Sequence, residues 1–125
     1  MPSPETLERF VAIVESNAHD AAIEAFYTED ATMRENQGEP RRGRDALVAN
    51  ERAVLARAKR VESRCLRPVF VDGDHVVVHW WFRFEWPDGT YTEMEELALQ
   101  RWRGERIAEE QFFYDPAQRA RRTRS

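Results

Sequence analysis

The sequence predicts an α+β domain. Two observations carry that expectation. Three stretches with helical spacing of apolar residues come first, and the second half consists of alternating β-rich runs between strong turn signals. No internal repeat and no linker interrupts this order.

The elements follow one by one. Leu7, Phe10, Val11 and Val14 place a helix over residues 4–16. Asp20 is a suitable N-cap for a second, short helix carrying Ile23, Phe26 and Tyr27. Residues 31–36 read as a brief strand, and Gly38, Pro40 and Gly43 mark a loop. Asp45 opens a third helix with Leu47, Val48, Val54, Leu55 and Ala58 on one side. Residues 60–71 are strand-like, and Asp72-Gly73 turns the chain into the long run 75–86. Pro87-Asp88-Gly89 and Arg103-Gly104 separate two further strands, 91–102 and 106–114. The long run is apolar on both faces, with Trp80, Phe82 and Phe84 on one and Val77, His79 and Trp81 on the other. Helices cover the first face in this reading, and a second copy of the chain covers the other, giving a homodimer.

With 125 residues, 42% hydrophobic and 34% charged, the composition is that of a single globular domain. One cysteine, Cys65, suits a reducing, cytoplasmic setting. No apolar run is long enough for a bilayer, and MPSPETLERF lacks the pattern of a signal peptide. The net charge of −4 speaks against nucleic acid as a partner. Arg119, Arg121, Arg122 and Arg124 crowd the end, so residues 117–125 read as a solvated, disordered tail outside a domain spanning 1–116. His75 and His79 lie on a strand, roughly 13 Å apart, too far to share one ion. No Gly-rich phosphate loop, nucleophile elbow or Cys/His cluster occurs, so neither a metal nor a cofactor is expected.

The stretch FYTEDATMREN raises the functional question, because alternation puts Glu35 on the side of Met33, facing the interior. RFVAIVESNAHDAAIEAFYTEDATMREN, the passage DATMREN followed by a loop ending in RGRDAL, and RWRGERIAEEQFFYDP together resemble the SnoaL-like and ketosteroid-isomerase-like domains of the nuclear transport factor two-like superfamily. The resemblance spans residues 5–116. It implies a cone-shaped fold of three N-terminal helices packed on a curved antiparallel sheet. It also implies a pocket for a small molecule between them.

Carried over position by position, the isomerases' catalytic carboxylate falls on Glu35 and their oxyanion tyrosine on Phe10, which has no hydroxyl. Their second oxyanion donor falls on Ala98, with Glu96 two residues away on the same face. The same matching turns Trp80, Phe82, Phe84, Glu96, Gln100, Trp102, Glu109, Gln111 and Phe113 inward. Glu35, Glu96 and Glu109 are thus the expected acid/base groups. Phe10, Trp80, Phe82, Phe84, Gln100, Trp102, Gln111 and Phe113 are the expected ligand-binding set. The resulting expectation is a cofactor-independent enzyme doing acid/base chemistry on a small apolar carbonyl or cyclic substrate, of isomerase, cyclase, hydrolase or dehydratase type. The alternative is a non-catalytic ligand-binding or protein-interaction module on the same scaffold.

Overall fold

The computed structural model describes residues 1–123. Ser3 starts the first helix, α1 (Pro4–Glu15), by accepting from the Thr6 amide at 3.1 Å, with Pro4 at the first helical position. Leu7, Phe10, Val11 and Val14 form its buried face. Asn17 then takes a positive φ of 74°, which turns the chain into α2 (His19–Phe26). Ala18, not Asp20, occupies the N-cap of α2, and no side chain caps it.

Strand β1 (Tyr27–Glu35) is longer than the brief strand expected and takes Tyr27 from the helix. The two-residue β2 (Arg41–Arg42) pairs back on it. Gly43 follows at φ 92°, a conformation that costs a side chain strain, and opens α3 (Arg44–Arg57). The expected strand over 60–71 is split into β3 (Arg60–Cys65) and β4 (Phe70–Asp72). Next come β5 (His75–Glu85), β6 (Tyr91–Arg103), β7 (Arg106–Phe113) and a 3-10 turn, Pro116–Arg119.

The sheet runs β2-β1-β7-β6-β5-β3, with β4 on β5. It is mixed, not purely antiparallel. β1 lies parallel to β7, with Met33 opposite Glu110 and Glu35 opposite Phe112. Helix α3 and strands β2–β6 lie between those two strands in sequence, a connection long enough for the chain to return beside β1 running in the same direction. The core gathers Phe10, Phe26, Leu47, Val76, Val78, Trp80, Ala98, Trp102 and Ile107 between the helices and one face of the sheet. Phe10 is its hub, meeting Phe26, Trp80 and Trp102 edge-on with centroids 5.7, 6.3 and 5.9 Å away. The other face of the sheet carries no helix, and Leu97, Leu99, Phe113 and Phe70 are exposed there.

The segment after β7 corrects the expectation of a disordered tail for residues 117–123; Arg124 and Ser125 lie outside the described residues. Gln118 exchanges hydrogen bonds with the Glu95 backbone at 2.7 and 3.0 Å. Arg122 forms an antiparallel bridge with Tyr91, at 2.9 and 2.7 Å. Arg121 stands 4.5 Å over the Trp86 ring. Its arginines thus have partners on the sheet that composition alone did not reveal. Removing residues 117–125 is expected to lower stability by about 1–3 kcal/mol, from the lost hydrogen bonds and ring contact. The melting temperature should drop by several degrees. A thermal melt of the shortened chain that superimposes on the full-length curve would return the segment to a solvated tail.

Candidate active site

Between the helices and the inner sheet face lies a cavity of about 530 Å³. Alternation along β5 supplies one wall. Trp80 stacks on Phe82 at 5.6 Å and Phe84 on Trp86 at 5.8 Å, a row of four rings along one strand. Val14, Ala22 and Ile23 from α1 and α2 face them. An apolar enclosure of this size with a few polar groups suits a small organic molecule.

Four carboxyl groups line it: Glu35 from β1, Glu51 from α3, Glu96 from β6 and Glu110 from β7. Glu35 keeps the side of Met33, and both reach the cavity. Its Oε1 accepts from the Tyr114 hydroxyl at 2.9 Å, and its Oε2 from Arg41 at 3.2 Å, with Arg119 3.7 Å away. Glu96 makes no side-chain hydrogen bond to another described residue. Burial, then the neighbouring charges of Glu110, Glu35 and Glu51, push its carboxyl up to about 8. Burial likewise raises Glu51, with the Glu35 charge adding to it.

Glu110 is the buried end of a chain of donors. The Trp102 indole donates to Gln100 Oε1 at 3.0 Å, and Gln100 Nε2 donates to Glu110 Oε2 at 2.7 Å. The Tyr27 hydroxyl donates to the other oxygen. Burial raises the Glu110 carboxyl to about 7, against the pull of those two hydrogen bonds. Burial also raises the Tyr27 phenol, so its proton stays on.

The expected site residues divide. Glu35, Glu96, Phe10, Trp80, Phe82 and Phe84 line the cavity. Gln100 and Trp102 face inward but lie buried beneath it, supporting Glu110 instead of lining the space. Glu109, Gln111 and Phe113 are corrected: they face outward. Glu109 pairs with Arg101 at 3.1 Å on the open face, Gln111 donates to the Asn36 carbonyl at 2.7 Å, and Phe113 is exposed. The cause is a bulge. Arg101 pairs with Glu109 but Trp102 with Ile107, so Ala108 is an extra residue in β7 and reverses the parity beyond it. Glu110 and Phe112 therefore point inward.

Sequence reasoning also missed Glu51 and His19. A signal existed for Glu51, which follows Leu47 by four residues and precedes Val54 by three, on the apolar side of α3. His19 begins α2 and lines the cavity, with Nε2 2.7 Å from Ser63 Oγ. Burial lowers its ring to about 4, so it is neutral at ordinary pH. His79 lies on the outer side, 2.6 Å from Glu95. No cluster of His, Cys, Asp and Glu with metal-ligand geometry occurs among the described residues. No helix among them is long and apolar enough to cross a membrane.

The model of the SnoaL-like domain matches residues 7–110. No curated protein matches the chain in sequence. Among solved structures, a protein of ketosteroid isomerase-like fold from Catenulispora acidiphila, in complex with trimethylamine, is 20% identical. That likeness covers 94% of this chain and 90% of that one, with a TM-score of 0.76. A candidate SnoaL-like polyketide cyclase from Mesorhizobium loti is 19% identical over 91% and 100% of the two chains, with a TM-score of 0.74. An LEH-like epoxide hydrolase from M. tuberculosis is 15% identical over 92% and 84%, with a TM-score of 0.75. At such identities the likeness is one of fold.

The raised carboxyls make stability depend on pH. In the unfolded chain, Glu96 and Glu110 lose their protons near the ordinary value of 4.5, whereas in the folded chain they hold them to about 8 and 7. The unfolded state therefore binds fewer protons across that window, and stability falls as pH rises. Urea denaturation is expected to show a loss on the order of a few kcal/mol between about pH 5 and about pH 9. Glu96→Gln should flatten part of it. An unchanged slope in that variant would mean that Glu96 titrates as an exposed carboxylate.

Proposed function

We propose, from the premise that the chain belongs to the SnoaL-like domain family, that it catalyses proton transfer on a small, largely apolar carbonyl compound. The observation that carries this reading is Glu96. A carboxyl with no hydrogen-bond partner among the described residues opens on an aromatic cavity and is held protonated at neutral pH by burial and by three other carboxylates. Such a group is a hydrogen-bond donor to an oxygen that gains charge. Glu35 lines the same cavity and is fixed by Tyr114 and Arg41, which makes it the base of the pair. In the step proposed, Glu35 takes a proton from the carbon next to the carbonyl. The electron pair moves onto the carbonyl oxygen, and Glu96 supplies the donor there. The chain Tyr27–Glu110–Gln100–Trp102 holds a further buried carboxyl beside this pair and keeps the Glu96 proton in place. No cofactor is required for such a step.

A second reading, a non-catalytic binder, has support in Phe10, which offers no hydroxyl where the isomerases keep one, and in the trimethylamine complex of the Catenulispora protein. Exchange of the α-hydrogens of 1-indanone in deuterated water separates the two, read by proton NMR. Proton-transfer catalysis predicts exchange above the buffer rate. It predicts a loss of about 10²–10⁴-fold in Glu35→Gln, and a decline of the wild-type rate above about pH 8 as Glu96 loses its proton. Exchange at the buffer rate across a set of cyclic ketones is the result expected of a binder.

The reading includes a homodimer through the open sheet face. Phe70, Val77 and Leu99 form one row across β4, β5 and β6, and Leu97 and Phe113 an adjoining pair across β6 and β7. Leu97 and Phe113 are 44% and 37% exposed, an apolar surface that an isologous contact with a second copy covers. Light scattering at tens of micromolar should give twice the chain mass, and Leu99→Glu should halve it. A wild-type monomer under those conditions removes the dimer.

A further inference from the structure

The cavity changes character between floor and rim. Its floor is aromatic and carries carboxyls that burial drives toward the neutral form. Its rim carries four guanidiniums: Arg41 beside β1, Arg57 at the end of α3, and Arg119 and Arg121 from the segment after β7. Among the described residues these four pair with two carboxylates, Glu35 and Asp88. Arg41 and Arg119 share Glu35, at 3.2 and 3.7 Å. Arg121 reaches Asp88 at 3.4 Å and covers the Trp86 ring, which extends the aromatic wall to the rim. Arg57 is exposed and has no carboxylate partner among the described residues, although it lines the cavity. The entrance thus carries unspent positive charge directly above an apolar enclosure. A guanidinium is a fork-shaped donor that fits a carboxylate in particular.

We propose that the ligand of this cavity is an amphipathic monocarboxylate. Its apolar body lies against Trp80, Phe82 and Phe84, and its carboxylate sits at the rim, held by Arg57 with Arg119 and Arg121 adding to the field. The proposal rests on reading this cavity as the substrate site and narrows that reading to carbonyl compounds carrying an acid group at the far end. Glu96 and Glu110 then meet only the uncharged part of the molecule. A ligand of the opposite polarity would bring a cation past four arginines.

Three probes of one shape test it: cinnamate, cinnamamide and cinnamylamine, titrated into the full chain by calorimetry at pH 7. The expected order is cinnamate first, at least about tenfold tighter than the amide, with the amine weakest. Added salt should narrow the gap between acid and amide. Arg57→Gln should cost cinnamate about tenfold in affinity and leave cinnamamide unchanged, the amide serving as the control for an intact cavity. Equal binding of acid and amide overturns the proposal. So does preference for the amine, which would make this a cation site, and so does failure of all three to bind. Cinnamate offers no acidic carbon-bound hydrogen, so its binding is read whether or not the cavity transfers protons. A loss of indanone exchange and a loss of cinnamate binding are therefore separate results.

Discussion

One extra residue in β7 decides what the cavity contains. Were Ala108 paired regularly with Arg101, strict alternation from the hairpin would turn Glu109 inward and leave Glu110 in solvent. The bulge reverses this, and a carboxyl 3% exposed results. A buried carboxyl needs partners, and the neighbouring strand is built to give them. Trp102 requires an acceptor inside an apolar core and finds Gln100 Oε1; the Gln100 amide nitrogen in turn donates to Glu110. Tyr27, where the second helix gives way to β1, closes the row from the opposite side. Three strands and a helix end are thus registered to one another by polar groups that have no other outlet.

That arrangement sets the electrostatics of everything above it. Glu110 is satisfied by two donors but not neutralised by a cation, so its charge and that of Glu35 act on Glu96 through a poorly polarisable space. Glu96 has no side-chain hydrogen bond to another described residue to offset them. The result is a proton held at neutral pH by repulsion and burial together. Positive charge is kept to the rim, where Arg41 and Arg119 meet Glu35 without entering the aromatic floor. His19 supplies no cation inside, because burial beside Phe82 and Phe84 keeps its ring neutral.

The fold was largely legible, and the site only in part, for different physical reasons. Helical spacing of Leu7, Phe10, Val11 and Val14, and the turns at Asp72-Gly73 and Arg103-Gly104, are local signals, and each element they announced is present. The inward side of β5 and β6 followed from alternation, which holds wherever a strand is regular, so Trp80, Phe82, Phe84 and Glu96 were placed correctly. Alternation fails at a bulge, and nothing in RIAEEQFF marks one. That cost Glu109, Gln111 and Phe113, and it hid Glu110. Pairing between β1 and β7 is a contact across most of the chain, invisible to local pattern, so the sheet was read as antiparallel. Arg119, Arg121 and Arg122 were misread because composition records charge but not the carboxylates and rings that await it.

The floor and the rim are carried by different kinds of structure, and this separates what each can tolerate. Glu96 and Glu110 belong to long, interior strands, whereas Arg57 ends a helix, Arg119 ends a short exposed turn and Arg121 follows it. Of the three, Arg57 has neither a carboxylate nor a ring partner among the described residues, so a change there perturbs the scaffold least, whereas Arg119 and Arg121 also meet Glu35 and Trp86. Under the proposed reading, a lineage could exchange one preferred molecule for another by altering a surface codon such as that of Arg57, with the interior residues unchanged. The same division offers an engineer a ready handle: a fixed aromatic chamber with an interchangeable doorway.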